Sequence, residues 1–243
     1  MNETRPRTLV IMPAWNEEET VGATIRELTE TLPWVDVLLV NDGSTDQTVA
    51  RAREAGALVL TLPYNLGVGG AMRAGFKYAD RHDYDRVIQV DADGQHDPRD
   101  IEAVLDGLER ADISIGARFA ERGDYSVRGP RRWAMVFLAA VISRLGKTRL
   151  TDATSGFRAA NRVAIRQYCE HFPAEYLGDT IDSLVVALRS GLTVTQVPVE
   201  MRPRQGGAPS ASPWKAALYL FRSFFAVVIA MSRRPVTRQE RDA

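Results

Sequence analysis

The residues best suited to do chemistry in this sequence lie in the run QVDADGQHD, residues 89 to 97. Asp91 and Asp93 stand two positions apart, and residues two apart in an extended strand end point to the same side. Two converging carboxylates repel each other unless a cation lies between them. Oxygen ligands of this kind suit a hard divalent ion such as Mg²⁺ or Mn²⁺. The alternative is a polar turn that closes a strand, since Asp and Gly favour turns.

The elements that must position these acids are short apolar runs that alternate with helical patterns. Strands are predicted for TLVIMPAW, VDVLLVND, ALVLTL, DRVIQVDAD and DISIGAR. Helices are predicted for residues 17–32, 49–55 and 101–108, and for the Gly-rich run NLGVGGAMRAGFKYA. Strands that alternate with helices predict a wound α/β sheet with mostly parallel strands.

In a wound sheet, ligands bind beyond the carboxyl ends of the strands. Four of the predicted strands end in polar or charged stretches that no core requires: PAWNEE, NDGSTD, DADGQH and GARF. This shared placement favours the metal interpretation of Asp91 and Asp93 over the turn interpretation.

The second half of the chain is less regular. Residues 120–132 form a basic loop that contains Gly and Pro, and a helix is predicted over 133–145. The stretch TDATSGFRAANR follows without an assigned element, and a helix near 180–190 precedes a strand in LTVTQVPVEM.

Composition narrows the class of protein. The chain has 243 residues, and its 31 basic and 31 acidic residues cancel, so no overall field recruits nucleic acid. The single cysteine, Cys169, excludes an internal disulfide framework and a cysteine-based zinc site, and it fits a reducing compartment. The amino end, MNETRPRT, is not followed by the apolar core of a signal peptide, so no signal peptide is expected.

The carboxyl-terminal segment, residues 213–234, is amphipathic. Lys215 and Arg222 interrupt it and leave an uncharged run of only ten residues, Ser223 to Ser232. A spanning helix needs about 20 predominantly apolar residues, so we expect a helix that lies in the membrane interface. The alternatives are a helix packed on the domain or a contact between copies in a homo-oligomer.

Seven motifs in series give the chain a resemblance to the family 2 glycosyltransferases of the GT-A fold, and especially to the polyprenyl-phosphate sugar synthases. They are PAWNEE, NDGSTDQT, NLGVGGAMRAGF, QVDADGQHDP, IGARF, DATSGFRA and MRPRQGG, in the family's order. The resemblance implies a GT-A domain over residues 1–212, with a nucleotide-sugar half at about 8–118 and an acceptor half at about 119–212. The interfacial helix (213–234) and a polar tail (235–243) would follow.

The resemblance also implies roles for individual residues on the donor side. Asp91 and Asp93, with Gln95 as a further ligand, would hold Mg²⁺ or Mn²⁺ against the two phosphates of a nucleotide-diphosphate sugar, where the ion stabilises the leaving diphosphate. The implied donor contacts are Pro13, Ala14, Trp15, Asn16, Glu17, Val40, Asp42, Gly69, Asp91, Ala92, Asp93 and Arg202. Trp15 could instead pack at the strand end, and Asp42 could cap its own turn.

On the acceptor side, a lipid phosphate is already ionised near neutrality and needs cations rather than a general base. Arg118, Arg131 and Arg132 are the implied phosphate ligands, since guanidinium groups bind phosphate in a bidentate manner. Asp152 would contact the sugar or the acceptor, or cap a helix. The family's late motif R-x-x-G-x-S is altered here, with its serine delayed to Ser210.

The implied activity is metal-dependent, inverting transfer of a sugar from GDP-mannose or a UDP-hexose to a polyprenyl phosphate, by an enzyme held peripherally on the cytoplasmic face of the cell membrane. One rival is a transferase to a saccharide hydroxyl, which needs a base such as Asp152, Asp179 or Asp182. A second rival is a silent nucleotide-sugar-binding subunit, which has no need of paired carboxylates.

Overall fold

A computed structural model describes residues 5–117, 142–144, 148, 150–173 and 179–203 of the chain. The predicted phosphate ligands Arg118, Arg131 and Arg132 lie outside these residues, as does the amphipathic segment 213–234. Within the described part, no helix is long and apolar enough to cross a membrane.

The described residues form a seven-stranded sheet in the order β3-β2-β1-β4-β6-β5-β7. The strands β1 to β4 pair in parallel, as do β5 and β7, whereas β6 runs antiparallel to both of its neighbours. All strands except β6 therefore end at the same edge of the sheet. The strands are β1 (Thr8–Ala14), β2 (Asp36–Asn41), β3 (Leu58–Thr61), β4 (Arg86–Gln89), β5 (Ile113–Ala117), β6 (Arg158–Asn161) and β7 (Val194–Pro198).

Six α-helices flank the sheet within the described residues. The predicted helix at 17–32 begins later, at Val21, because residues 17–20 form a turn. The sequence patterns missed α5 and β6, which follow directly after the TSGF motif. The helices are α1 (Val21–Thr31), α2 (Thr48–Glu54), α3 (Gly67–Arg81), α4 (Ile101–Asp106), α5 (Arg162–His171) and α6 (Asp179–Arg189).

The core lies in two layers, one on each face of the sheet. Along β1, Leu9 and Ile11 belong to one apolar cluster, and Val10 and Met12 belong to the other. This alternation follows the two-residue period of a strand and shows that helices cover both faces. Helix α3 packs so closely on β1 that a Cβ at Gly75 would lie 2.6 Å from Ile11 Cγ2.

Candidate active site

The loops that follow β1 and β2 are bound to each other at the carboxyl edge of the sheet. The Asn16 amide donates to Ser44 Oγ at 2.9 Å, and Asn16 Oδ1 accepts from the Thr45 amide at 2.9 Å. The Glu17 amide donates to Thr48 Oγ1 at 2.8 Å. Asn16 has φ 54°, a left-handed conformation that is uncommon outside glycine. These side chain to backbone bonds hold it there and fix the backbone next to Trp15.

Asp42, at the end of β2, binds the start of α3. Its two carboxylate oxygens accept from the amides of Leu66 (2.7 Å) and Gly67 (2.8 Å), so they satisfy two of the unpaired donors of the helix amino end. Burial raises the pKa of Asp42, and the two backbone hydrogen bonds offset part of that rise. Asp42 therefore caps α3, and its predicted contact with the donor stays a prediction.

The predicted fourth strand, DRVIQVDAD, ends at Gln89, so the metal-motif residues lie in the loop directly after β4. Asp93 Oδ1 accepts from the Gln95 amide at 3.1 Å, and Gly94 has φ 74°, so the loop turns tightly between the two side chains. The Asp91 side chain stays 43% exposed, with Oδ1 3.3 Å from Gln89 Nε2. The loop thus exposes Asp91 at the shared edge of the sheet, whereas Asp93 is buried at 7% exposure.

His96 packs against this loop from the protein interior, a role that the sequence analysis did not assign. The residue is 3% exposed, and its ring stacks on Phe157 with centroids 4.6 Å apart. Its Nδ1 accepts from the Asp91 amide at 3.1 Å, which in the neutral ring leaves the proton on Nε2, 3.8 Å from Asp91 Oδ2. Phe157 belongs to the TSGF motif, so the stack connects two motifs that are far apart in sequence.

The space beside Asp91 suits a cation. A Cβ at Gly156 would lie 3.6 and 3.7 Å from the two Asp91 carboxylate oxygens and 3.1 Å from Gln89 Nε2, so glycine keeps this side of the carboxylate open. Two carboxylates and an amide oxygen match the way Mg²⁺ is held, with substrate phosphates completing the coordination. The described residues contain no group of three or more His, Cys, Asp or Glu side chains placed to hold a metal ion. A donor-completed site fits the residues present.

Asp97, at the end of the loop, is held by two arginines. Arg99 donates to both of its carboxylate oxygens, and Arg202 reaches it at 2.9 Å. The Arg99 guanidinium, followed by that of Arg202, holds the pKa of Asp97 well below its usual range. Arg202 also binds Glu27 on α1 at 2.6 Å. The structure thus gives Arg202 two carboxylate partners, and its predicted donor contact stays a prediction.

Two aromatic side chains stand exposed at the carboxyl edge. Trp15 is 52% exposed after β1, and Tyr64 is 64% exposed in the loop between β3 and α3. The sequence analysis named Trp15 but missed Tyr64, whose Cα lies only 3.3 Å from the position that a Cβ on Gly43 would take. Both rings can offer a flat apolar face to a nucleobase.

The other predicted donor contacts vary in their exposure. Val40 is wholly buried in the core, so its side chain has no surface to offer. Ala92 is 3% exposed, and its carbonyl accepts from Thr24 Oγ1 at 3.2 Å, which ties the metal loop to α1. Pro13 and Ala14 end β1, and Gly69 lies buried in the first turn of α3.

Asp152 is unsuited to act as an exposed base. The residue is 1% exposed, and its Oδ1 accepts from both the amide and the hydroxyl of Thr154. Its carbonyl accepts from Gln196 Nε2 at 2.7 Å. The side chain stabilises the turn that leads into the TSGF motif, whereas the sequence analysis gave a helix cap as its alternative role.

Comparison with known proteins agrees with this geometry. The family model described as glycosyl transferase family 2 matches residues 9–169. The chain is 31% identical over 215 residues to the polyprenol monophosphomannose synthase of Mycolicibacterium smegmatis, covering 85% of this chain and 81% of that protein. It is also 31% identical over 215 residues to the undecaprenyl-phosphate mannosyltransferase of Micrococcus luteus, with 85% and 88% covered.

The fold is shared with solved glycosyltransferase structures. Glucosyl-3-phosphoglycerate synthase from Mycobacterium tuberculosis, in complex with phosphoglyceric acid, superposes with a TM-score of 0.71 at 21% identity, covering 95% of this chain and 82% of that one. A second structure of that enzyme contains Mn²⁺ and UDP and superposes with a TM-score of 0.69 at 21% identity, again covering 95% and 82%. The fold is therefore GT-A, and the chain belongs to glycosyl transferase family 2.

Proposed function

We propose that this glycosyltransferase moves a sugar from a nucleotide-diphosphate sugar to a polyprenyl phosphate, with inversion and with Mg²⁺ or Mn²⁺ held by Asp91, Asp93 and Gln95. The observation that carries the proposal is the space that Gly156 leaves beside the Asp91 carboxylate, next to the stacked rings of His96 and Phe157. The names of the two relatives at 31% identity support the acceptor class.

The donor would lie along the carboxyl edge of β1, β2 and β4. Trp15 offers its exposed ring to the base, and the backbone at Asn16 and Glu17 is already fixed by the loop after β2. A divalent ion bound at the metal loop would neutralise the charge that develops on the leaving diphosphate. Asp91 and Asp93 would place the diphosphate, because their loop is braced from both sides.

The burial of Asp152 removes one of the three candidate bases for a hydroxyl acceptor, Asp152, Asp179 and Asp182, and so supports a phosphate acceptor. A hydroxyl needs a base within hydrogen-bond reach, and Asp152 is buried with its Oδ1 bound to Thr154. A phosphate monoester is largely ionised at neutral pH and needs only cations to orient it. We assign that task to Arg118, Arg131 and Arg132, on the basis of the sequence alone.

The test is a transfer assay with the purified full-length chain, polyprenyl phosphate in detergent micelles, Mn²⁺ or Mg²⁺, and a panel of labelled GDP- and UDP-sugars. We expect a labelled glycolipid from one donor, and we expect chelator or Asp93→Ala to abolish it while the protein stays folded. Transfer to saccharide hydroxyls but not to lipid phosphate would show that the acceptor is a saccharide and would contradict the lipid-phosphate proposal. Full activity of Asp93→Ala with chelator present would contradict the proposed metal site.

A further inference from the structure

Arg202 joins three separate parts of the fold through its side chain. It lies just after β7, and its Nη1 is 2.6 Å from Glu27 Oε1 on α1. Its Nη2 and Nε meet the two oxygens of Asp97 at 2.9 and 3.2 Å, a bidentate pair. The Asp97 side chain is 9% exposed and that of Arg202 is 25% exposed, so these contacts are largely shielded from solvent.

The backbone around Arg202 is hydrogen-bonded to the same loop. The Arg202 amide donates to the Gln95 carbonyl at 3.0 Å, and Gln95 Nε2 lies 3.5 Å from the Arg202 carbonyl. Met201 and His96 form an antiparallel bridge. The segment after β7 therefore lies along the metal loop, in contact with Gln95 and His96.

We propose that Arg202 is a positioning residue, which holds the loop from Asp93 to Asp97 in the shape that binds the divalent ion without touching the donor itself. The inference rests on the proposed metal site. The stack of His96 on Phe157 and the bond from Thr24 to the Ala92 carbonyl restrain other parts of this loop, and Arg202 adds the contacts at Gln95 and Asp97. Residues that orient metal ligands from outside typically change metal affinity by about 10-fold to 100-fold when removed.

A direct contact with the donor makes a different prediction. If Arg202 bound the diphosphate, its removal would raise the donor KM and leave the binding of Mn²⁺ alone unchanged, and Glu27 would have no part in it. If Arg202 positions the loop, the affinity for Mn²⁺ alone falls. Removing the charge of Glu27, which anchors the other end of the guanidinium, then lowers it in the same direction.

The experiment titrates Mn²⁺ into the full-length protein, alone and with GDP or UDP, and follows free Mn²⁺ by electron paramagnetic resonance. The variants are Arg202→Ala, Arg202→Lys, Glu27→Gln and, as matched control, Arg51→Ala. Arg51 also forms an ion pair, but with Glu54 on the same helix, α2, and its side chain is 58% exposed. We expect dissociation constants about 10-fold higher for Arg202→Ala, with Arg202→Lys and Glu27→Gln between it and the unchanged control.

Asp93→Ala separates the two proposals. If it abolishes Mn²⁺ binding while Arg202→Ala, folded by thermal melting, binds as the wild type does, Arg202 has no positioning role and the metal site stands. If Asp93→Ala binds normally, the metal site itself fails. Should Arg202→Ala not fold, Arg202→Lys and Glu27→Gln decide, because wild-type affinity in both overturns the positioning role.

Discussion

At the scale of single residues, the surroundings of Asp91 combine two near neighbours in sequence, Gln89 and His96, with Gly156 from a distant part of the chain. Gln89 lies 3.3 Å from one carboxylate oxygen, His96 accepts from the Asp91 amide, and Gly156 leaves the open side free of a side chain. The local pattern DADG predicts the acids, since strand-end carboxylates two apart are visible in sequence. It cannot predict Gly156, because that contact exists only once β6 has paired with β4.

Gly156→Ala tests whether the space beside the Asp91 carboxylate is needed to bind the ion. The added Cβ would lie 3.1 Å from Gln89 Nε2, so Gln89 must move by a few tenths of an ångström and weaken its contact with Asp91. We expect Mn²⁺ affinity to fall about 10-fold, with stability changed by less than about 1 kcal/mol. Calorimetric titration of Mn²⁺ and urea denaturation measure the two effects.

Gly22→Ala is the matched control for the added methyl group. A Cβ there meets no atom closer than 3.5 Å, which is ordinary contact, so metal affinity should not change. Wild-type affinity in Gly156→Ala would show that the space beside Asp91 is not needed for the ion.

At the scale of elements, the parallel part of the sheet follows from sequence patterns, whereas its antiparallel insertion does not. The five apolar runs of the first half are all strands, and four of them lead into a polar strand end. Strand β6 is only four residues long and reads RAAN, so alternation gives no signal. Its place between β4 and β5 depends on pairing with both, and the TSGF motif is carried to Asp91 by that pairing.

The cap on α3 is the element-scale prediction. Asp42→Ala removes both carboxylate acceptors from the amides of Leu66 and Gly67, and the loss of a helix cap costs about 1–2 kcal/mol. We expect faster hydrogen exchange in residues 66–70 and a lower urea midpoint, with the rest of the sheet unaffected. Mass-spectrometric exchange on the peptide around residues 62–75 measures it.

Asn65→Ala is the control for this cap. Its Oδ1 is a second acceptor for the Gly67 amide at 3.1 Å, so its loss leaves Asp42 in place and should cost less. Equal exchange rates in Asp42→Ala and wild type would mean that the carboxylate does not stabilise the helix, and a role toward the donor would then be its main one.

At the scale of the whole molecule, the sheet collects the proposed site at one edge, and the segment after β7 runs beside the metal loop at that same edge. Met201 pairs with His96, so the chain leaves the described fold beside the metal loop, and Pro203 is the last described residue. Ten further residues lead to Pro213, where the amphipathic segment begins. Ten residues span at most about 35 Å, so this segment starts within that distance of Pro203.

An interfacial helix at residues 213–234 would bring the enzyme to the membrane, where its proposed acceptor lies. A polyprenyl chain buries many methylenes at about 0.8 kcal/mol each, so its phosphate must be taken at the membrane surface. The apolar positions of 213–234 and the basic residues among them, Lys215 and Arg222, suit an interface with anionic headgroups. We therefore expect the full chain to float with anionic liposomes and to be released by high salt, and a chain ending at Ser212 to stay behind.

Two comparisons make the flotation result specific to the segment. Replacing Arg238 and Arg241, which lie in the polar tail beyond it, should leave flotation unchanged. The shortened chain should still use a short, water-soluble isoprenyl phosphate while losing most activity on long-chain acceptor in vesicles, because only the second substrate requires the enzyme at the bilayer. If the full and shortened chains float equally, or if neither floats, the segment packs on protein instead, and the lipid-phosphate acceptor must be argued from the transfer assay alone.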